Sequence, residues 1–183
     1  MQQDFLLIRK MKNGDEEAMD TFVRQYYAQI LQYCSYHCPD REWAQDLTQE
    51  TFARFFRRLA DYKHHGKSLN YLYTIARNLC IDWGRKNREF AMEYEDVEGA
   101  DDMSALEEKL LIEAALGKLP AQLREVVILR FFQELSVRET ADVLQIGIPL
   151  VKYRIRKAKE ALRGLLGDEP EGGAARHGEE ESF

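Results

Sequence analysis

The chain has 183 residues, of which 45% are apolar and 32% charged, a balance typical of folded proteins that excludes collagenous and wholly disordered classes. This length suits one ordinary domain or two small ones and is too short for a large enzyme barrel. No stretch approaches 18 consecutive apolar residues, so the sequence predicts no membrane-spanning helix and no membrane insertion.

The N-terminus and the cysteines indicate the compartment. Residues 1–5 contain Asp4 and lack the basic and apolar segments of a secretory signal. The three cysteines are an odd number and predict reduced thiols rather than a disulfide scaffold; they are Cys34, Cys38 and Cys80. We therefore expect a cytoplasmic protein.

The formal net charge of −6 hides a segregation of charge along the chain. Residues 89–106 carry seven acidic side chains and no lysine or arginine, and residues 167–183 carry six acidic side chains and one arginine. The rest of the chain has 25 basic and 19 acidic side chains. The pattern predicts basic folded units at 1–88 and 107–166, joined by an acidic flexible linker at 89–106 and followed by a disordered acidic tail at 167–183.

Apolar residues recur at helical spacing through the first unit, which predicts three buried helical stripes. Ser68 is the predicted N-cap of the third helix. The stripes comprise Met19, Phe22, Val23, Tyr26 and Ile30; Trp43, Leu47, Phe52, Phe55, Phe56 and Leu59; and Leu72, Ile75, Ala76, Leu79 and Trp83.

The second unit is predicted to be helical as well. Pro120 suits the first turn of a helix, and Ser136 with Glu139 forms a capping-box pattern that opens a short helix ending near Leu144. Residues 145–147 break the pattern before a longer helix begins at Ile148. No segment shows strand alternation, so we predict an all-α fold of two small helical domains.

A polar, acidic face is predicted on the second helix of the first unit. Asp46, Gln49 and Glu50 share one side of that helix, whereas Leu47 and Phe55 lie on others. Such a face suits docking onto a basic partner, although an ordinary solvated face gives the same spacing.

The third helix of the first unit combines amide, basic and aromatic side chains. Such side chains read base edges and stack on unpaired bases, but its aromatic residues also suit a core. A basic and aromatic loop at 62–67 precedes it. The candidate residues for this role are His64, His65, Lys67, Asn70, Arg77, Asn78 and Arg85.

Residues 136–159 follow the helix-turn-helix pattern, with small Ala141 where the two helices must approach closely. The second helix carries six basic side chains and Glu160 between residues 152 and 163. A face this basic can enter the major groove of DNA, whereas a solvated amphipathic helix is the alternative interpretation. The candidate DNA-binding residues are Lys152, Tyr153, Arg154, Arg156 and Lys157.

Taken in order, four motifs resemble the extracytoplasmic-function (ECF) sigma factors of bacterial RNA polymerase. They are DLTQETF at 46–52, YLYTIARNLCID at 71–82, LPA at 119–121 with REV at 124–126, and the helix-turn-helix. The resemblance covers residues 10–166 and implies a promoter-specificity subunit that is not an enzyme and uses no cofactor.

By this resemblance, residues 1–88 are sigma region two, which docks on the clamp helices of core RNA polymerase through Asp46, Gln49 and Glu50. The −10 element would be recognised and opened by the candidates at 64–85. Residues 107–166 would be sigma region four, which reads the −35 element of promoter DNA and meets the polymerase flap. The resemblance further implies an anti-sigma factor as a partner.

The chain departs from the family at the start of the recognition helix, where Pro149 and Leu150 replace the usual Gly-Thr pair. A hydroxyl that could bond a phosphate is lost there. Tyr153 also stands where a smaller residue is common. Both departures alter the −35 sequence that we expect this chain to read.

Two other function classes fit parts of the sequence. A self-sufficient helix-turn-helix regulator would bind duplex DNA as a dimer. A metal-dependent redox sensor would use Cys34, His37 and Cys38, which share one helical face but lack a clear fourth ligand. We therefore expect no metal site and no catalytic residues.

Overall fold

The computed structural model describes residues 2–38, 40–63, 67–86, 112 and 114–166, and every regular element in these ranges is helical. The all-α prediction is thereby confirmed for the described part of the chain. The predicted linker at 89–106 and the predicted tail at 167–183 lie outside it. None of the described helices is long and apolar enough to cross a lipid bilayer.

Four helices form the first unit: α1 (Gln2–Lys12), α2 (Glu16–Ser35), α3 (Arg41–Arg57) and α4 (Ser68–Lys86). The side chains of Asp15 and Asp40 cap α2 and α3 by accepting hydrogen bonds from the N–H groups of Ala18 and Trp43. Helices α2, α3 and α4 all pack against one another, and α1 packs on α2. The rings of Phe22 and Phe55 stack in the resulting core with their centroids 4.7 Å apart.

The second unit contains α5 (Ala121–Val127), a π-helical turn (Ile128–Phe132), α6 (Val137–Leu144) and α7 (Ile148–Leu166). The predicted capping box is present, since the Glu139 N–H donates to Ser136 Oγ at 3.2 Å and the Ser136 N–H donates to Glu139 Oε2 at 2.9 Å. Gln145 adopts a left-handed φ of 55° in the turn between α6 and α7. The helix-turn-helix and its boundaries are therefore as the sequence predicts.

Three details of the first unit differ from the prediction. Helix α1 (Gln2–Lys12) was not predicted, because the predicted stripes begin at Met19. Trp43 is 49% exposed, and its ring lies 6.3 Å from that of Trp83 rather than inside the core. Ser68 is the first helical residue of α4 rather than its cap, and its N–H donates to Asp4 Oδ2 at 3.4 Å. Asp4 of α1 thus accepts a hydrogen bond from the first turn of α4, as the side chain of an N-cap residue would.

The two units pack against each other through α4 and α6. Their buried apolar residues form one continuous cluster that includes Leu72 and Tyr73 of α4 together with Val126, Leu129 and Val143 of the second unit. The sequence predicts two helical units but does not predict this interface, which positions the polar groups described below.

Candidate functional site

The exposed face of α7 carries most of the basic side chains that the sequence predicts to bind DNA. Val151 and Ala158 are fully buried against the rest of the second unit, and the helical period then directs Lys152, Tyr153 and Arg156 outward. Lys157 is exposed on the same side. Four of the five predicted residues thus form one surface.

Contacts along α7 order this surface. The Arg156 guanidinium carbon lies 5.7 Å from the centroid of the Tyr153 ring, at cation–π distance. Lys157 Nζ donates to Glu160 Oε2 at 2.7 Å, and this hydrogen bond raises the pKa of Lys157 and lowers that of Glu160. Glu160 Oε1 also lies 3.8 Å from Arg156 Nε, so Glu160 neutralises part of the charge of both Arg156 and Lys157.

Arg154 lies apart from the other candidates. It is half-buried, and its Nη2 donates to Gln122 Oε1 of α5 at 2.8 Å. Arg154 therefore lies between α5 and α7 and not on the exposed face with Lys152 and Tyr153.

An exposed apolar edge at the start of α7 is not among the residues that the sequence predicts to bind DNA. Ile148 and Leu150 are 41% and 40% exposed and flank Pro149, which is also exposed. Apolar side chains at this position can contact thymine methyl groups in a major groove. The sequence does carry a signal for this edge, because the helix opens with four consecutive apolar residues, 148–151, and one buried stripe cannot accommodate all of them.

The predicted acidic face of α3 is exposed at Asp46 and Gln49. Glu50 is half-exposed and already paired, since Arg54 Nε donates to its Oε1 at 2.8 Å and Arg57 Nη2 lies 2.9 Å from its Oε2. The hydrogen bond from Arg54, joined by Arg57, lowers the pKa of Glu50. Asp46 is therefore the uncompensated carboxylate of this face, a distinction that the helical spacing alone does not give.

The α4 candidates do not share one environment. Asn78 and Arg85 are exposed, Asn70 is half-buried, and Arg77 lies at the contact with the second unit. Lys67, just before α4, is exposed but also pairs with the second unit. His64 and His65 lie outside the described residues.

A polar cluster joins the units at Arg77. Glu125 of α5 accepts a hydrogen bond from the Tyr33 hydroxyl, and His37 Nε2 lies 2.9 Å from Glu125 Oε2. Arg77 Nε is 3.9 Å from Glu125 Oε1. The side chains of His37 and Glu125 are only 14% and 12% exposed, so this is a largely buried ion pair.

The cluster shifts the pKa values of its members in opposite directions. Burial opposes the charged form of His37, but the hydrogen bond and charge of Glu125 outweigh it and raise the pKa of His37. Burial likewise opposes the charged form of Glu125, but His37, Tyr33 and Arg77 together lower the pKa of Glu125. Burial and the neighbouring Glu125 raise the pKa of Tyr33, which keeps its hydroxyl protonated as a donor.

Two further contacts cross the same boundary. Lys67 Nζ lies 2.7 Å from Glu139 Oε1, and the Tyr73 hydroxyl donates to Gln133 Oε1 at 2.6 Å. Although burial opposes ionisation of Glu139, hydrogen bonds from Lys67 and Ser136 bring its pKa down to about 2. Sequence reasoning missed Glu125, Gln133 and Glu139 as interface residues, because nothing local marks which helices of separate units meet.

Cys34, His37 and Cys38, the residues considered above for a metal site, have other partners in the structure. His37 pairs with Glu125 rather than with Cys34 and Cys38, and within the described residues no group of three potential ligands is arranged to hold a metal. All three thiols are free and buried. The hydrogen bond from Cys80 lowers the pKa of Cys34 and raises that of Cys80, while burial raises the pKa of Cys38 to about 11.

Comparison with known proteins gives concordant matches in both halves of the chain. The family described as Sigma-70 region 2 matches residues 22–90, and Sigma-70, region 4 matches residues 109–162. The chain is 30% identical to the ECF RNA polymerase sigma factor SigW of Bacillus subtilis, over 88% of this chain and 95% of SigW. It is 31% identical to the RNA polymerase sigma factor YlaC of the same species, over 84% of this chain and 93% of YlaC.

Solved structures show the same fold. CnrH, determined in complex with the cytosolic domain of CnrY, superposes with a TM-score of 0.73 at 24% identity, covering 90% of this chain and 97% of CnrH. The sigma factor RpoE of Bartonella quintana, determined with the anti-sigma factor NepR, gives 0.65 at 20% identity over 82% of this chain and 97% of RpoE.

Proposed function

Since the chain belongs to the ECF sigma factors of RNA polymerase and thus acts in transcription initiation, we propose a division of labour between its two units. Residues 1–88 dock on the polymerase clamp and open the −10 element. Residues 107–166 read the −35 element and meet the polymerase flap, residues 89–106 link the two, and residues 167–183 form an acidic tail.

The observation that carries the proposal is the exposed basic face of α7, at the second helix of a helix-turn-helix. Its N-terminal turns would enter the major groove, as recognition helices do. Lys152 and Arg156, one turn apart, are within reach of purine edges, and Tyr153 with Leu150 would contact thymine methyl groups. Lys157 would hold a phosphate, and Arg154 would act mainly by fixing α7 on α5 through Gln122.

For the −10 element we propose the polar side of α4 and the loop before it. The amides of Asn70 and Asn78 suit base edges, and Lys67, Arg77 and Arg85 suit phosphates. His64 and His65 complete the set from the preceding loop.

For polymerase docking we propose the exposed side of α3. Asp46 supplies the free charge and Gln49 the hydrogen-bonding amide next to it. Glu50, held by Arg54 and Arg57, would present a carboxylate of fixed orientation. A basic partner surface complements this face.

The chemistry of RNA synthesis would belong entirely to the polymerase. The chain would therefore be no enzyme, would need no cofactor, and would work in the cytoplasm, where the polymerase and promoters are. The sigma factor RpoE was determined with an anti-sigma factor, and we propose a partner of that class for this chain too.

Transcription in vitro tests the proposal. Core polymerase with the purified chain should initiate at a defined set of genomic start sites that core polymerase alone does not use. The mapped sites should share two short elements at −35 and −10. Protection of a palindromic duplex by the chain without polymerase would instead establish a dimeric DNA-binding regulator.

A further inference from the structure

A pair of thiols lies where α2, α3 and α4 of the first unit pack together. Cys34 belongs to the last turn of α2 and Cys80 to α4, and the Cys80 thiol donates a hydrogen bond to the Cys34 sulfur. Both residues are buried, with 0% and 4% of their surface exposed. They are far apart in the sequence, so only the packing of α2 on α4 brings the two sulfur atoms into contact.

The third cysteine has different neighbours. The Cys38 thiol donates to the Asp40 carbonyl oxygen at 3.6 Å, and the Cys38 N–H donates to the Cys34 carbonyl oxygen at 2.9 Å. Residues at this helical spacing have Cβ atoms about 5–6 Å apart, whereas a disulfide spans about 3.5–4.5 Å between its Cβ atoms. Cys38 is therefore a poor disulfide partner for Cys34, although it is just as buried.

The surroundings of Cys34 favour its thiolate, the form of cysteine that reacts with oxidants. The hydrogen bond from Cys80 lowers the pKa of Cys34 against the effect of burial, and the Thr48 hydroxyl and the charge of His37 act in the same direction as Cys80. The same hydrogen bond, together with burial, raises the pKa of Cys80, which therefore stays a protonated thiol. The two cysteines are thus unequal, with Cys34 the better nucleophile.

The end of α2 provides access to this pair. Helix α2 ends at Ser35, directly after Cys34, and Ser35 is exposed. The last turn of a helix opens at a lower free-energy cost than its centre. Hydrogen peroxide is little larger than water, so a local opening of this turn is sufficient for it to reach the Cys34 sulfur.

We propose that Cys34 and Cys80 are a redox-sensitive dithiol, which hydrogen peroxide converts into an intramolecular disulfide between α2 and α4. The inference goes beyond the proposed function and does not depend on it. The bond would form inside the first unit, so it requires neither a metal ion nor any contribution from the second unit.

The oxidation takes place in two balanced steps. The Cys34 thiolate attacks one oxygen of the peroxide, the O–O bond breaks, and the leaving hydroxide takes up the proton that Cys34 released. This gives one water and a sulfenic acid on Cys34. The Cys80 sulfur then attacks the Cys34 sulfur, so that the S–S bond forms, the S–O bond breaks, and the hydroxyl group leaves with the Cys80 proton as a second water. Two thiols lose two electrons, and one peroxide gains them.

Differential alkylation of the full wild-type chain tests the proposal. The reduced chain is exposed to hydrogen peroxide for increasing times, denatured in acid and alkylated, and mass spectrometry of the peptides then gives the oxidised fraction of each cysteine. Cys34 and Cys80 should be oxidised together, on the order of tenfold faster than Cys38, and dithiothreitol should reverse the reaction. In urea, where the native contacts are lost, the three cysteines should be oxidised at similar rates.

Three alanine variants separate the roles of the cysteines. Cys38→Ala is the matched control and should still form the disulfide. Cys80→Ala should stop at the sulfenic acid on Cys34, which dimedone traps as an adduct, whereas Cys34→Ala should form neither product. Circular dichroism checks the helix content of each variant, and the wild-type alkylation pattern decides the question where a variant fails to fold.

Three outcomes would overturn the inference: equal oxidation rates of Cys34 and Cys38 in the folded chain, a disulfide that includes Cys38, or the absence of a disulfide between Cys34 and Cys80. None of them bears on the proposed function, which wild-type transcription with core polymerase tests separately under reducing conditions. Failure of that transcription would reject the proposed function whatever the cysteines do.

Discussion

His37 and Glu125 are linked across the two units by a 2.9 Å contact between Nε2 and Oε2, and the other ring nitrogen of His37 lies 2.9 Å from the Tyr33 carbonyl oxygen. Both ring nitrogens therefore face acceptors. Only the doubly protonated imidazolium can donate to both, so the geometry favours charged His37 where the two units meet.

The surroundings of this pair determine how the contact responds to pH. On α2, Tyr33 and Cys34 face His37, and on α4, Arg77 and Cys80 face Glu125. Since the pKa of His37 is raised above 6.5, its contribution is complete below that value and is lost as pH rises through the raised pKa. Since the pKa of Glu125 is lowered below 4.5, its contribution is complete above that value and is lost as pH falls through the lowered pKa.

We therefore predict that the contact between the two units at His37 and Glu125 is strongest in mildly acidic solution and weakens as pH rises through the raised pKa of His37. The radius of gyration should increase over that interval. In His37→Gln the increase should vanish, while His64, His65 and His177 remain as internal controls. An identical pH profile in both proteins would contradict the assignment to His37.

Charge reversal at Asp46 should weaken binding to core polymerase by about tenfold or more, because a like charge opposite a basic partner is repelled. Helix α3 should keep its fold, since Asp46 is exposed. The measurement is pull-down of core enzyme by the tagged chain. Asp20→Lys, an equal charge reversal on exposed α2, is the matched control, and unchanged capture by Asp46→Lys would reject the docking surface.

Substitutions along α7 should separate base reading from phosphate binding. Lys152→Ala or Arg156→Ala should cost roughly 1–3 kcal/mol and relax the preference at one −35 position. Arg163→Ala, further along the exposed side, should lower binding about equally on all sequences and reduce the salt slope by about one. Lys159 is a poorer comparison because its Nζ lies 5.6 Å from the centroid of the Phe131 ring and contributes to packing.

Transcription from a panel of single-base −35 variants provides the readout for these substitutions. If Lys152→Ala and Arg156→Ala lower every promoter by the same factor, both side chains hold phosphates. Specificity would then come from Tyr153, the apolar edge at Leu150, or DNA shape.

Ser136→Ala should destabilise the second unit by about 1 kcal/mol, because the side chain accepts the Glu139 N–H at the start of α6. Ser35→Ala is the matched control, since Ser35 is exposed and its hydroxyl only bonds the Leu31 carbonyl of its own helix. Chemical denaturation followed by circular dichroism measures both. Equal stability of the two variants would show that the capping box contributes little.

The amino-acid sequence by itself determined helices α2 to α4, α6 and α7, the capping box at Ser136 and the turn at Gln145, because these depend on residues within a few turns of each other. It did not predict α1 or the π-helical turn at Ile128–Phe132. It also determined that Lys152, Tyr153, Arg156 and Lys157 share an exposed face, since helical periodicity and a buried stripe are local properties. Only the tertiary structure decided that Arg77 meets Glu125 and that Lys67 meets Glu139. Those pairs join residues 48 or more positions apart, and their formation depends on which faces of the two units bury apolar surface together, which no local pattern of charge or spacing specifies.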